Sequence, residues 1–262
     1  MKEITLITGA TGGLGKAFAK ELASRGETLL LTGRSIEKLT SFRKELLAEY
    51  GVDALVFAAD LSDVADRFRL EMFLAESELS VLRLINVAGV DIQKAVTEYT
   101  QEKIAFQCRV NFEAAVSLCK TSVAHKAKTL EIINISSVSG LYPMPYFAIY
   151  SATKTALTSF SLSLRQEMKK KGVFVTAVLP GAMPTREDIK EQIKGQGLWG
   201  KIAVKSPDFV AERSIKAVKK NKAKIIPGFW NKVMRVFTAW IPLSWKMHFI
   251  AKRWSKISKD AF

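Results

Sequence analysis

Apolar runs of strand length alternate with helically spaced stretches throughout the first 180 residues. The runs are Ile4–Thr8, Thr28–Thr32, Ala54–Ala58, Leu82–Asn86, Glu131–Ile135 and Val173–Leu179, with a seventh, shorter one at Ala223–Pro227. Helical patterns fall near 14–24, 36–49, 63–77, 101–127 and 151–171. A strand wet on one face alternates apolar and polar residues, and these runs are nearly continuous instead. The pattern therefore predicts an α/β fold: one doubly wound domain with a parallel sheet of about seven strands, covered by helices on both faces. At 262 residues and 48% hydrophobic composition the chain has the material for one large core. The expected division is a domain over 1–228, with a lid around 185–206, followed by a basic amphipathic helical tail over 229–262.

Several function classes lose their material at once. Cys108 and Cys119 stand eleven apart without metal-ligand spacing, and His125 and His248 are the only histidines. No metal site is expected, and reduced cytosolic thiols are. Met1-Lys2-Glu3-Ile4 runs straight into a strand-like segment, and no apolar run approaches the roughly 18 residues that span a bilayer. The expected location is cytoplasmic, with the inner membrane face as a peripheral option. The net charge of +15 is uneven, since residues 186–262 hold 18 of the 40 basic side chains and 6 of the 25 acidic ones. No nucleic-acid-binding motif accompanies that charge, so nucleic acid is not an expected partner.

The first run leads into Thr8-Gly9-Ala10-Thr11-Gly12-Gly13-Leu14-Gly15 and then a helix. Glycines at 9, 13 and 15 permit a tight turn and bring backbone N–H groups close to a pyrophosphate at the helix N-terminus, the arrangement of a Rossmann dinucleotide site. The second run ends Leu31-Thr32-Gly33-Arg34-Ser35, with no carboxylate before Glu37. An acidic residue there would bind a free ribose 2′-hydroxyl, whereas an arginine fork suits a 2′-phosphate. NADP(H) is thus favoured over NAD(H), although an arginine opening a helix is also compatible with an ordinary solvated surface.

Ser136-Ser137 ends the fifth run, and thirteen residues beyond Ser137 stands Tyr150-Ser151-Ala152-Thr153-Lys154. Tyr150 and Lys154 are i and i+4, hence on one helical face. A phenol with a pKa of about 10 exchanges protons poorly at neutral pH. An ammonium ~5 Å away at an effective dielectric near 20 favours phenolate by roughly 3 kcal/mol, about two pKa units. Ser137 would then hydrogen-bond the oxygen on which charge develops. A Tyr-x-x-x-Lys pair by itself is usually structural. The order of glycine turn, arginine, serine and Tyr/Lys, all at one edge of the sheet, points to carbonyl/alcohol hydride chemistry.

With Asp60-Leu61, Asn86-Val87-Ala88-Gly89, Asn111 and Pro180-Gly181…Thr185 added, residues 3–185 resemble the short-chain dehydrogenase/reductase family. The resemblance implies that Tyr150 is the acid/base, that Lys154 lowers its pKa and holds the nicotinamide ribose, and that Ser137 orients substrate. It implies that Asn111 supports a water-linked proton relay behind Lys154. It further implies a cofactor site of Gly9, Thr11, Gly13, Leu14, Gly15, Arg34, Asp60, Leu61, Asn86, Ala88, Gly89, Tyr150 and Lys154. Pro180, Gly181 and Thr185 would close over the nicotinamide. Val87 departs from a second Asn frequent in the family. Family members are often homo-oligomers, so a dimer or tetramer is expected.

Beyond Pro180-Gly181, Leu198-Trp199 stands among Arg186, Lys190, Lys194, Lys201 and Lys205. That suits an apolar substrate with an anionic handle, such as a 3-oxoacyl thioester on an acidic carrier protein, and equally a solvated lid helix. In the tail, Phe229, Trp230, Val233, Phe237 and Trp240, then Trp245, Phe249, Ile250, Trp254 and Ile257, recur at helical spacing among lysines and arginines, with Pro242 between. Tails of this character occur in some bacterial-type members of the family. Contact with an anionic membrane and packing on another subunit both fit. The alternative to an enzyme is an NADP(H)-binding sensor or membrane-surface interaction protein, which has no need of Ser137, Tyr150, Lys154 and Asn111 together.

Overall fold

The computed structural model describes residues 1–184 and 204–255. Seven parallel strands, β1 (Lys2–Thr8), β2 (Leu29–Gly33), β3 (Leu55–Ala58), β4 (Leu79–Asn86), β5 (Lys126–Ile135), β6 (Val173–Val178) and β7 (Lys224–Ile225), form one sheet in the order β3-β2-β1-β4-β5-β6-β7. The helices are α1 (Gly13–Ala23), α2 (Ile36–Tyr50), α3 (Val64–Glu76), α4 (Gln101–Cys108), α5 (Ala114–Ala124), α6 (Ala148–Glu167), α7 (Pro207–Lys219), α8 (Phe229–Ala239) and α9 (Leu243–Trp254).

The continuous apolar runs are explained by the two cores they serve. Ile7, Leu31, Ile85 and Ile133 point to one face and pack with Phe18 of α1, Phe42 of α2 and Ile215 of α7. Their neighbours Leu6, Leu30, Leu84 and Ile132 point to the other and meet Leu70 of α3, Leu118 of α5 and Leu164 of α6. The chain runs outward from β1 to β3, then crosses back to β4. That reversal opens a crevice beyond the strand ends between β1 and β4, the place where ligands gather in such sheets.

The structure departs from the pattern reading in three places. The stretch 101–127 is not one helix: a π-helical turn, Arg109–Glu113, separates α4 from α5, and the chain leaves α5 at Ala124 to begin β5 at Lys126. α7 was not anticipated, because its core face is built partly of small residues, Ala211, Ser214 and Ala217. Its start is nonetheless written in the chain: Ser206 accepts a hydrogen bond from Phe209 N and Pro207 opens the first turn. β6 ends at Val178, one residue short, and β7 is only two residues long.

Candidate active site

At the crevice, β1 ends in Thr8 and turns through Gly9, whose φ of +60° is left-handed. A Cβ on Gly9 would come within 3.0 Å of Ala88 Cα, and one on Gly15 would lie 2.2 Å from the Gly9 carbonyl oxygen. Only glycines let α1 start this close beneath the turn. α1 has no acidic residue in its first turn, so the positive end of its dipole faces the crevice uncompensated. Thr8 was not singled out from sequence, yet its hydroxyl accepts hydrogen bonds from Val87 N and Ala88 N at 2.9 and 3.0 Å. It thereby fixes the loop after β4 against the glycine turn.

The crevice is a cleft of about 860 Å³. Gly9, Thr11, Gly13, Leu14 and Gly15 line one end, with Arg34, Asp60 and Leu61 beside them. Arg34 is exposed where β2 ends, and Glu37 does not reach the cleft. Asp60 is oriented by Ser62, whose N–H and hydroxyl both donate to its Oδ1, at 2.8 and 2.7 Å. Arg67 secures the same turn by donating to the Leu61 carbonyl at 2.7 Å while pairing with Glu113 of the π-helical turn. Val87, Ala88, Gly89, Pro180 and Gly181 continue the lining toward Ser137, Tyr150 and Lys154. Val87 puts an apolar side chain against the core from the place where the family often has Asn.

Lys154 is buried, and its Nζ lies 5.7 Å from the centre of the Tyr150 ring. It donates to the Ile135 carbonyl at 2.9 Å. Burial pulls its pKa from the ordinary 10.5 down to about 8, with the Asp91 carboxylate acting in the opposite direction. Ser137 Oγ accepts from Ser139 N at 3.1 Å, which orients the oxygen and leaves its proton to be donated elsewhere. Ser136 clamps the first turns of α6 to the end of β5 by donating to the Lys154 carbonyl at 2.7 Å.

Two expected site residues stand behind the cleft surface. Asn86 does not line the cleft. It is buried on the α5 side of β4, where its Nδ2 donates to Asn134 Oδ1 at 2.8 Å, because the pleat turns residue 86 away from the crevice. Its side chain here ties β4 to β5. Asn111 is also buried behind the lining. Its Oδ1 accepts from Val90 N at 2.7 Å and its Nδ2 donates to the Val90 carbonyl at 2.9 Å, so the side chain pins the loop that carries Gly89. Thr185, and most of the expected lid, lie outside the described residues.

The cleft has a wall that local motifs did not foretell. Phe249, Ile250, Arg253 and Trp254 of α9 line it, and Trp254 stacks on Phe147 at 5.9 Å with an interplanar angle of 8°. Phe147 in turn stacks on Tyr150 at 4.3 Å. The preceding residue, Tyr146, has φ of +61°. Strain of that kind is retained where the surroundings impose it, here at the entry to α6. Among the described residues no group of three or more His, Cys, Asp or Glu side chains gathers to hold a metal ion. None of the described helices is long and apolar enough to cross a membrane.

The glycine cradle with its bare helix terminus, and a Tyr–Lys–Ser cluster in the same cleft, give a doubly wound fold the features of a dinucleotide site. The family model for short chain dehydrogenase matches residues 3–194, and the chain belongs to that family. It is 34% identical over 194 residues to the very-long-chain 3-oxoacyl-CoA reductase of Anas platyrhynchos, a match covering 69% of this chain and 60% of that protein's length. It is similar in structure to a short-chain dehydrogenase from Sphingobium yanoikuyae in complex with NADPH, with a TM-score of 0.76 and 28% identity over 92% of this chain and 96% of that one. The L-sorbose reductase of Gluconobacter frateurii, complexed with NADPH and L-sorbose, superposes with a TM-score of 0.77 at 25% identity, over 87% and 95% of the two chains.

Proposed function

We propose that this chain is an NADP(H)-dependent oxidoreductase that interconverts a carbonyl and an alcohol, and that its substrate is a 3-oxoacyl thioester. The observation that carries the reading is one cleft holding Arg34 at one end and Ser137, Tyr150 and Lys154 at the other. The residues fit the cofactor: a Cβ at Gly9 or Gly15 would fill the cradle, and α1 offers its N-terminus. Gly13, Thr11 and Leu14 would hold the pyrophosphate, Arg34 the 2′-phosphate, Asp60 and Leu61 the adenine side, and Ala88, Gly89, Pro180 and Gly181 the nicotinamide side. Bound NADPH supplies the hydride that the carbonyl carbon receives.

Tyr150 donates its phenolic proton to the substrate oxygen as charge develops there, and the Lys154 ammonium stabilises the phenolate left behind. Ser137 donates a hydrogen bond to the same oxygen. Asn111 acts through Val90 and Gly89, keeping the Lys154 surroundings in place for proton resupply. The thioester is favoured by the apolar α9 wall with Arg253 on it, and by the name of the Anas platyrhynchos relative. The enzyme works in the cytoplasm as a homo-oligomer. NADPH oxidation with a panel of 3-oxoacyl thioesters tests the reading. Tyr150→Phe should lower turnover by about a hundredfold or more while NADPH binding survives. Undiminished turnover in that variant would remove Tyr150 from its role, and no turnover with any thioester would remove the substrate assignment.

A further inference from the structure

The outer surface of α8 and α9 has properties that the chemistry in the cleft does not require. Residues 229–255 contain Lys232, Arg235, Lys246, Lys252 and Arg253 and no Asp or Glu. Phe229, Phe237, Trp240, Trp245 and Phe249 are between 67% and 86% exposed. None of the described side chains of the two helices is fully buried. Aromatic area of this extent is seldom left facing water. The inner side of α9 meanwhile forms cleft wall, and Phe249 belongs to both surfaces. The cleft rim and the exposed aromatic surface are therefore continuous.

We infer that α8 and α9 dock on an anionic lipid surface, and that the acyl chain of the substrate enters the cleft from that surface past Phe249 and Ile250. The entry route rests on the thioester-reductase reading; the docking does not. Charge selects the occupant. A second copy seated on this face would set its cations against five more of the same sign. Lipid headgroups neutralise them, and the boundary between headgroups and acyl chains accepts Trp and Phe rings. Trp240 and Trp245 lie outside the cleft lining, so they report on docking apart from catalysis.

The test uses the full-length protein, floated with vesicles of phosphatidylcholine plus phosphatidylglycerol and with phosphatidylcholine alone. Binding should require the anionic lipid, weaken about thirtyfold in Lys232→Ala/Arg235→Ala, and be lost in Trp240→Ala/Trp245→Ala. Anionic vesicles should stimulate turnover of a long-chain 3-oxoacyl thioester by the natural protein and not by the tryptophan variant, with short-chain turnover equal in both. Equal flotation on neutral vesicles, none on either, or unchanged binding by the tryptophan variant overturns docking. So does dimerisation without lipid that these substitutions abolish, which would give the face to a second copy. Flotation with equal long-chain turnover in both proteins overturns the entry route alone. Flotation as expected, with no turnover of any thioester, sustains docking and sinks the thioester assignment instead.

Discussion

Lys154 is held as a cation where a cation is costly, and the consequence is measurable. Its folded-state pKa of about 8 lies below the ordinary 10.5. The unfolded chain thus binds more protons than the folded one between those values, and stability rises with pH across that window. Below about 8 the full penalty is present, on the order of 3 kcal/mol. Lys154→Met should raise the urea midpoint at pH 7, flatten that pH dependence above pH 8, and reduce turnover by about a hundredfold or more. A loss of stability in this variant would show that the bond to the Ile135 carbonyl outweighs the desolvation. At the other end of the cleft, Arg34→Ala should weaken NADPH about tenfold or more and leave NADH nearly unchanged, as titration of each cofactor would reveal. Tyr150, Lys154, Ser137 and Arg34 were legible because each is marked by spacing from a neighbour in the chain. Asn86 was not, since which way it points depends on the pleat of β4 and on Asn134, 48 residues away.

The elements themselves were legible where burial is two-sided. β1, β2, β3, β4 and β6 read as apolar runs because each feeds both cores. β5 begins five residues before its apolar run, where Lys126, Lys128 and Thr129 are not fully buried and carry no core signal. The π-helical turn at Arg109–Glu113 was invisible because an inserted residue leaves no periodic trace over so short a span. α7 shows how a cap can identify a helix whose apolar face is weak. Ser206→Ala removes the acceptor for Phe209 N and should cost about 1 kcal/mol, seen as a fall of roughly 2–4 °C in Tm. The glycine turn permits less tolerance. Gly15→Ala forces a methyl onto the Gly9 carbonyl oxygen and Ala10 Cα, so dinucleotide binding by calorimetry should be abolished or nearly so.

Across the whole molecule, the middle of the sheet is tied by one buried cation. Arg83 of β4 pairs with Glu27, in the connection between α1 and β2, and with Glu131 of β5. Arg83→Met would strand two largely buried carboxylates, and denaturant unfolding should register a loss of about 3–5 kcal/mol. Adding Glu27→Gln and Glu131→Gln should recover most of it. The long-range assembly was the least legible part of the chain. Nothing near Tyr150 in sequence announces that Trp254 stacks behind it through Phe147, since that contact spans more than a hundred residues. The distribution of tryptophan has a practical consequence of its own. All five, at 199, 230, 240, 245 and 254, fall in the last quarter of the chain, and residues 1–198 have none. Intrinsic fluorescence excited at the red edge of indole absorption therefore draws four of its five emitters from α8, α9 and the turn between them, without a label. Quenching by bound NADPH through energy transfer should fall most heavily on Trp254. The protein carries an optical gauge of whether its cleft is filled.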